Sequence, residues 1–346
     1  MSNMAIYSRI LKKISTFSIV NEEDILKQFS GRHGINVTVE KSDLCHGGFT
    51  VSVEGMKFFL SERPISYLNK HWGRSLLIQE RSNPFGIALP LYIGEGNLSS
   101  EIHKISNSNN PIKNANEWLF NNFSIEIAIA YFNQYFQPSE SFSPYKTIIF
   151  EAIEAFYSGY DHIAIMSLFP VFEGGLRNLL VKFTGSDDTN TNAEIFEKGL
   201  RNLLINWGTQ QLGDYDWHPG KGYDVETEIN FFTHINPQCD VLNCTRSFFK
   251  NVIYKPTHGV NSGSFNRHLT LHLLNNNFNE PSNFVRIFLA LTHITFAESL
   301  FNPKVPFSWK GVSKNDEFIA NYIRGFTDSI FTHRRDIIKH LGLFLY

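Results

Sequence analysis

The hydrophobic pattern of this chain passes from a period of two to a long helical period, and that change constrains its fold class more than any other feature. Ile35–Val39 and Phe49–Val53 alternate apolar with polar residues, and Met56–Leu60 follows as a third apolar run. A period of two marks strands with one buried face. Gly47-Gly48 and Glu54-Gly55 stand between the runs as turn signals. From Glu117 onward the apolar residues recur at helical spacing, over Glu117–Phe136, Tyr145–Tyr157, Asp161–Phe183, Ala193–Trp207 and Leu242–Ile253. The pattern predicts an α+β chain: a small N-terminal α+β domain, then a mostly α-helical bundle.

Finer expectations follow from local signals. Residues 5–31 read as one or two short helices, with Asn21 and then Asp24 as a start signal. Ser75–Gln79 and Gly86–Leu89 read as edge strands, and Gly94–Asn116, rich in Ser, Asn and Gly, as a linker. Domains are expected at 1–112, linker included, at 113–302, and as a C-terminal helical extension at 303–346. Pro170 is expected to kink or split its helix, and Gly174-Gly175 to mark close helix packing or a kink. Gln211–Thr227 reads as an aromatic, Gly- and Asp-rich insertion. It opens like a calcium loop, but Pro219 and Val225 occupy the positions that need Gly and Glu.

Composition narrows the function. The chain has 346 residues, enough for two domains or one large one, and 42% hydrophobic with 18% charged residues is ordinary for a folded protein. Its 32 phenylalanines suit helices packed on helices. A net charge of −2 argues against a broad basic surface that coats nucleic acid, though a small cleft needs only a few cations. Three cysteines provide no disulfide framework and suit the cytoplasm. Cys239, Cys244 and His234 are spaced more loosely than zinc pairs. No apolar run approaches the ~18 residues of a membrane span, and Met1–Val20 reads as an amphipathic segment rather than a signal peptide. No phosphate loop, dinucleotide fingerprint or long repeat is present, so neither a cofactor nor a metal is expected.

One segment carries chemistry. In Ser264-Phe265-Asn266-Arg267-His268-Leu269-Thr270-Leu271-His272, an arginine is followed by a polar residue and then, five positions on, by a histidine. Cutting RNA without a metal requires proton carriers and a cation for the phosphorus oxygens. Histidine transfers protons near neutral pH, and arginine stays charged and matches phosphate geometry. On a helix, positions five apart lie about 140° apart, so Arg267 must reach round to meet His272, while His268 and His272 share a face. Gly259–Ser264 reads as a loop and Ser264 or Asn266 as the N-cap. Arg267 then falls in the first turn, where amides and dipole favour an anion.

The segment resembles the Arg–polar–x3–His signature of the HEPN superfamily, over about residues 115–302. Long helices before the motif and Pro281–Leu291 after it match the helix order of those domains. The resemblance implies a metal-independent endoribonuclease of a phage-defence or toxin type. Arg267 and His272 would be catalytic, His268 would be catalytic or orienting, and Asn266 would support them. It also implies a polar or acidic residue facing the motif, for which Glu173 is the candidate. RNA as substrate, a homodimer that brings two Arg–His pairs together, an antitoxin or trigger protein, and no membrane are implied likewise. The insertion at 211–227 and the C-terminal extension depart from the smallest members of that superfamily.

Plainer readings stand beside these. Arg335 and His340 repeat the spacing and read as a solvated helical face. Glu173 and Arg177, four apart, can form an intrahelical ion pair. His268 and His272 have the spacing of two zinc ligands, but the glutamate of a His-Glu-x-x-His motif is missing. The helical part could also be a non-catalytic dimerisation or nucleotide- or RNA-binding module.

Overall fold

The computed structural model of the protein describes residues 3–33, 35–72, 74–185, 192–255, 265–271 and 278–343. In chain order come α1 (Asn3–Ile14), α2 (Glu22–His33), β1 (Val37–Ser42), β2 (Gly48–Val53), β3 (Met56–Ser61), α3 (Ile65–His71) and α4 (Ser75–Ser82). They are followed by α5 (Glu95–Ser106), α6 (Pro111–Asn121), α7 (Ile125–Tyr131), α8 (Lys146–Tyr157), α9 (Asp161–Thr184) and α10 (Ala193–Gln211). Last come α11 (Val225–Ile235), α12 (Gln238–Phe248), α13 (Arg267–Leu271), α14 (Pro281–Glu298) and α15 (Lys314–His340). The fold is α+β. The chain divides into two compact units, Met1–Arg74 with Arg201–Asp240, and Ser75–Leu200 with Val241–Tyr346. The first boundary thus lies at 74/75 rather than 112/113, and residues 303–346 belong with the helical unit rather than forming an extension.

In the first unit β1, β2 and β3 form an antiparallel meander, with Val37 opposite Val53 and Val53 opposite Met56. The β2–β3 turn is two residues long. Glu54 at φ 49 and Gly55 at φ 83 give it the doubly left-handed turn that matches strand twist. Tyr7, Leu11 and Ile14 recur at helical spacing on α1 and pack with Ile25 and Phe29 of α2 against Val51, Phe58 and Leu60. The Asn21 side chain accepts from the Asp24 amide at 2.8 Å and starts α2. Residues 211–227 form no separate insertion. Their backbone lies beside β3, with the Phe59 amide donating to the Trp217 carbonyl at 2.9 Å. Asp216 accepts from the Lys57 amide at 2.9 Å, and Trp217 is buried in the core.

The second unit is helical, and its local readings need two corrections. The expected linker is α5 and α6. Leu98, Ile102 and Ile105 form one buried face of α5 amid polar neighbours, and Asn110 caps α6 with Pro111 at its first position. The expected edge strands are also absent. Ser75–Gln79 lies in α4, and the buried Ile87–Leu89 segment bonds to side chains instead of a strand. Gln79 donates to the Ile87 carbonyl at 2.9 Å and accepts from the Leu89 amide at 3.1 Å. His293 takes the Leu89 carbonyl at 2.9 Å.

The long helix α9 runs unbroken through Pro170 and packs on α8 and α14. By length and composition it could cross a membrane, yet 61% of its most apolar stretch is buried within the protein. Gly174 and Gly175 mark close packing. A methyl group there would come within 2.3 Å of the Tyr145 hydroxyl and of the buried Phe142 ring, respectively. Gly175→Ala is therefore expected to destabilise the protein by about 1–3 kcal/mol through overpacking, read from the urea midpoint; an unchanged midpoint would show that the 142–145 segment yields freely. Helix α15 starts at a capping box of Ser313 and Asp316 and buries Ala320, Ile323 and Thr327 on the side that meets α7 and α8.

Candidate active site

Asn266 organises the motif segment. It is buried, its Nδ2 donates to the Lys255 carbonyl at 2.8 Å, and its Oδ1 accepts from the His268 amide at 2.9 Å. It is therefore the N-cap of α13. Phe265 packs its ring on Phe169 of α9 at 5.5 Å, fixing where the short helix meets the long one.

Arg267, the first residue of α13, meets Glu173 of α9 in an ion pair from its Nε to Oε1. Tyr254 completes a triad: its hydroxyl donates to the same carboxylate oxygen at 2.7 Å, and its ring lies 5.3 Å from the guanidinium carbon. Burial opposes charge on Arg267, but the bond to Glu173 and the neighbouring Tyr254 hold its pKa above the usual guanidinium range. Burial and the Glu173 carboxylate push the Tyr254 hydroxyl up, so it stays protonated as a donor. The arginine side chain remains 24% exposed. Glu173 thus faces the motif, and its carboxylate turns to Arg267 rather than to Arg177. No ion pair joins Glu173 to Arg177, whose Nε has no hydrogen-bond partner among the described residues.

The five expected site residues are placed as follows. Asn266, Arg267 and Glu173 are brought together, and His268 lies exposed on α13. His272 lies outside the described residues. The second spacing match, Arg335 and His340, sits on the exposed face of α15, with Arg335 over the Phe331 ring at 5.7 Å. Among the described residues no three of His, Cys, Asp and Glu form a metal set, and Cys239 and Cys244 are buried and form no disulfide. A cation beside a carboxylate and a phenol can orient and stabilise an anion.

Sequence reasoning missed a polar cluster in the first unit. Arg74 donates to Asp240 at 2.7 Å, to Asn69 at 2.5 Å and to Asn230 at 3.2 Å. Asn69 also bonds His234 Nε2 at 2.8 Å, and the His46 ring stands edge-on to His234 at 5.5 Å while stacking on Trp72 at 4.0 Å. Burial, with help from Arg74 and His46, pushes His234 down to about 4, so it is neutral at pH 7. The chain holds Cys45 at φ 55 and His46 at φ 63 to aim that ring, a left-handed conformation rare in residues with a side chain. These residues are scattered from 45 to 240, and no spacing signals them.

The chain matches no family model, no curated protein and no solved structure.

Proposed function

We propose that the protein is a metal-independent endoribonuclease of HEPN type, acting in the cytoplasm as a defence or toxin effector. Attack of a 2′-hydroxyl on its phosphate would leave a 2′,3′-cyclic phosphate and a 5′-hydroxyl. His272 serves as general base or acid, and the corresponding histidine of a second protomer takes the complementary role. Arg267 stabilises the charge that develops on the phosphorus oxygens, and His268 orients the pair. The observation that carries this reading is the docking of Arg267 on Glu173 and Tyr254. A permanent cation is held at a helix start by a partner four helices earlier in sequence, and it keeps part of its surface open. An antitoxin or trigger protein would restrain or release the site.

The test is cleavage of total RNA in excess EDTA, with product ends mapped. Undiminished cleavage with cyclic phosphate ends is expected. Activity lost on chelation and restored by Mg²⁺ or Mn²⁺ would sink the metal-free mechanism.

The same contacts favour a second reading. The Arg267–Glu173–Tyr254 triad is a clasp that ties α13 to α9, as a non-catalytic binding module would require. Glu173→Gln separates the two. On the enzymatic reading it lowers cleavage more than it lowers stability; on the clasp reading it lowers stability alone.

A further inference from the structure

A second site with ligand-binding chemistry lies in the first unit. A cavity of about 450 Å³ opens between the end of α1, the β3–α3 connection and the turn before α11, within the range of small-ligand pockets. Two cations line it, Lys12 and Arg63, together with the hydroxyl residues Ser15, Thr16, Ser61, Ser66 and Thr227. No lining residue is acidic. Pro64, Ile65 and Pro219 add apolar wall.

Among the described residues no carboxylate pairs with either charge in this cavity. Lys12 sits over the Tyr223 ring at 4.1 Å, and Arg63 donates to the Ser18 carbonyl at 3.1 Å and covers the Tyr67 ring at 4.8 Å. Neither has a carboxylate partner among the described residues. Asp224 caps α11 and accepts from the Thr227 hydroxyl at 2.7 Å. Glu62 and Arg63 both line a neighbouring groove beside Gly47, yet no ion pair joins them.

A buried group supplies the second indication. Ser61, 5% exposed, lines the cavity, and its buried Oγ has no partner stronger than the Cys45 thiol beside it, a weak one. A buried hydroxyl is costly to leave unpaired, so a ligand oxygen is its natural complement. Two cations without a carboxylate partner among the described residues suit a compact multivalent anion with several acceptor oxygens. The apolar wall suits an attached organic part.

We infer that the cavity bounded by Lys12, Arg63 and Ser61 is a binding site for a phosphate group, carried by a small phosphate ester or present as the free ion. Two sources share that chemistry, and titration calorimetry at low salt distinguishes them with AMP, ribose 5-phosphate, inorganic phosphate and adenosine as probes. The phosphorylated probes are expected to bind and adenosine to be silent. Tighter binding of the esters assigns a phosphomonoester; equal binding of inorganic phosphate assigns the free ion. Lys12→Gln and Arg63→Gln should each weaken binding roughly tenfold or more, the scale of one charge-assisted hydrogen bond.

Arg63→Gln also loses a bond to the backbone, so a fold-neutral variant is needed. Ser66→Asp sets a carboxylate at the cavity from an exposed position in the first turn of α3, where a negative charge suits the helix. It is expected to abolish binding and leave the melting temperature unchanged or raised. Three results overturn the inference: no phosphorylated probe binds at millimolar concentration, adenosine binds as well as AMP, or Ser66→Asp and Lys12→Gln both bind as the native chain does.

Discussion

Arg267→Ala is expected to lower RNA cleavage by about 10²–10³-fold, the usual loss when one donor that stabilises developing charge is removed. His272→Ala should cost about 10²–10⁴-fold, the range of one general acid or base. Arg335→Ala and His340→Ala should change little, because both residues lie on the exposed face of α15. Single-turnover cleavage of one defined RNA by all four variants checks the order. Arg267→Lys is informative beside them. It keeps the charge but loses the planar fork, so intermediate activity is expected if the guanidinium meets phosphate. Circular dichroism separates this from unfolding, since α13 keeps its Asn266 cap in every variant. If the C-terminal pair abolishes cleavage and Arg267→Ala does not, the catalytic assignment is wrong.

Glu298→Ala is expected to be the most destabilising of the simple truncations, by about 3–5 kcal/mol. Its carboxylate is fully buried at the end of α14. It accepts from the Ser139 hydroxyl at 2.6 Å, the Glu140 amide at 2.8 Å, the Ser141 amide at 3.1 Å and Asn302 Nδ2 at 2.7 Å. Truncation leaves those donors without an acceptor and opens a cavity among them, and a buried donor left unpaired costs about 1–3 kcal/mol. Glu298→Gln should cost less, because one oxygen remains to accept, though its amide then faces donors. Glu317→Ala, on the exposed first turn of α15, serves as the control and should stay near zero. Urea unfolding of the three variants measures the series. A loss no larger for Glu298→Ala than for the control would mean that water replaces the carboxylate.

Periodicity and turn chemistry by themselves determined most elements of this protein. The three strands, the Glu54-Gly55 turn, the Asn21 start of α2 and the helices over α8, α9, α12 and α14 all follow from local signals, because the burial of alternate or helically spaced residues is written in their order. The motif at Asn266-Arg267-His268 was legible for the same reason, as a polar turn between a loop and an apolar helix. Where the reading failed, a distant partner made the difference. Ile87–Leu89 has the composition of a strand, yet its backbone is satisfied by Gln79 and His293 side chains. Residues 94–116 have the composition of a linker, yet Leu98, Ile102 and Ile105 meet a core that makes them helical.

Only the tertiary structure decided which carboxylate Arg267 would meet. From the sequence, an intrahelical pair of Glu173 with Arg177 is the plainer reading, and the pair across helices with Arg267 the less expected one. The burial of Phe265 and Asn266 against α9 and the 252–255 segment brings Arg267 within reach and settles the choice. The same holds for Ser61, Lys12 and Arg63, which converge on one cavity through sheet and helix packing. Local pattern encodes which face of an element is buried; which side chains then share a site depends on packing between elements far apart in sequence.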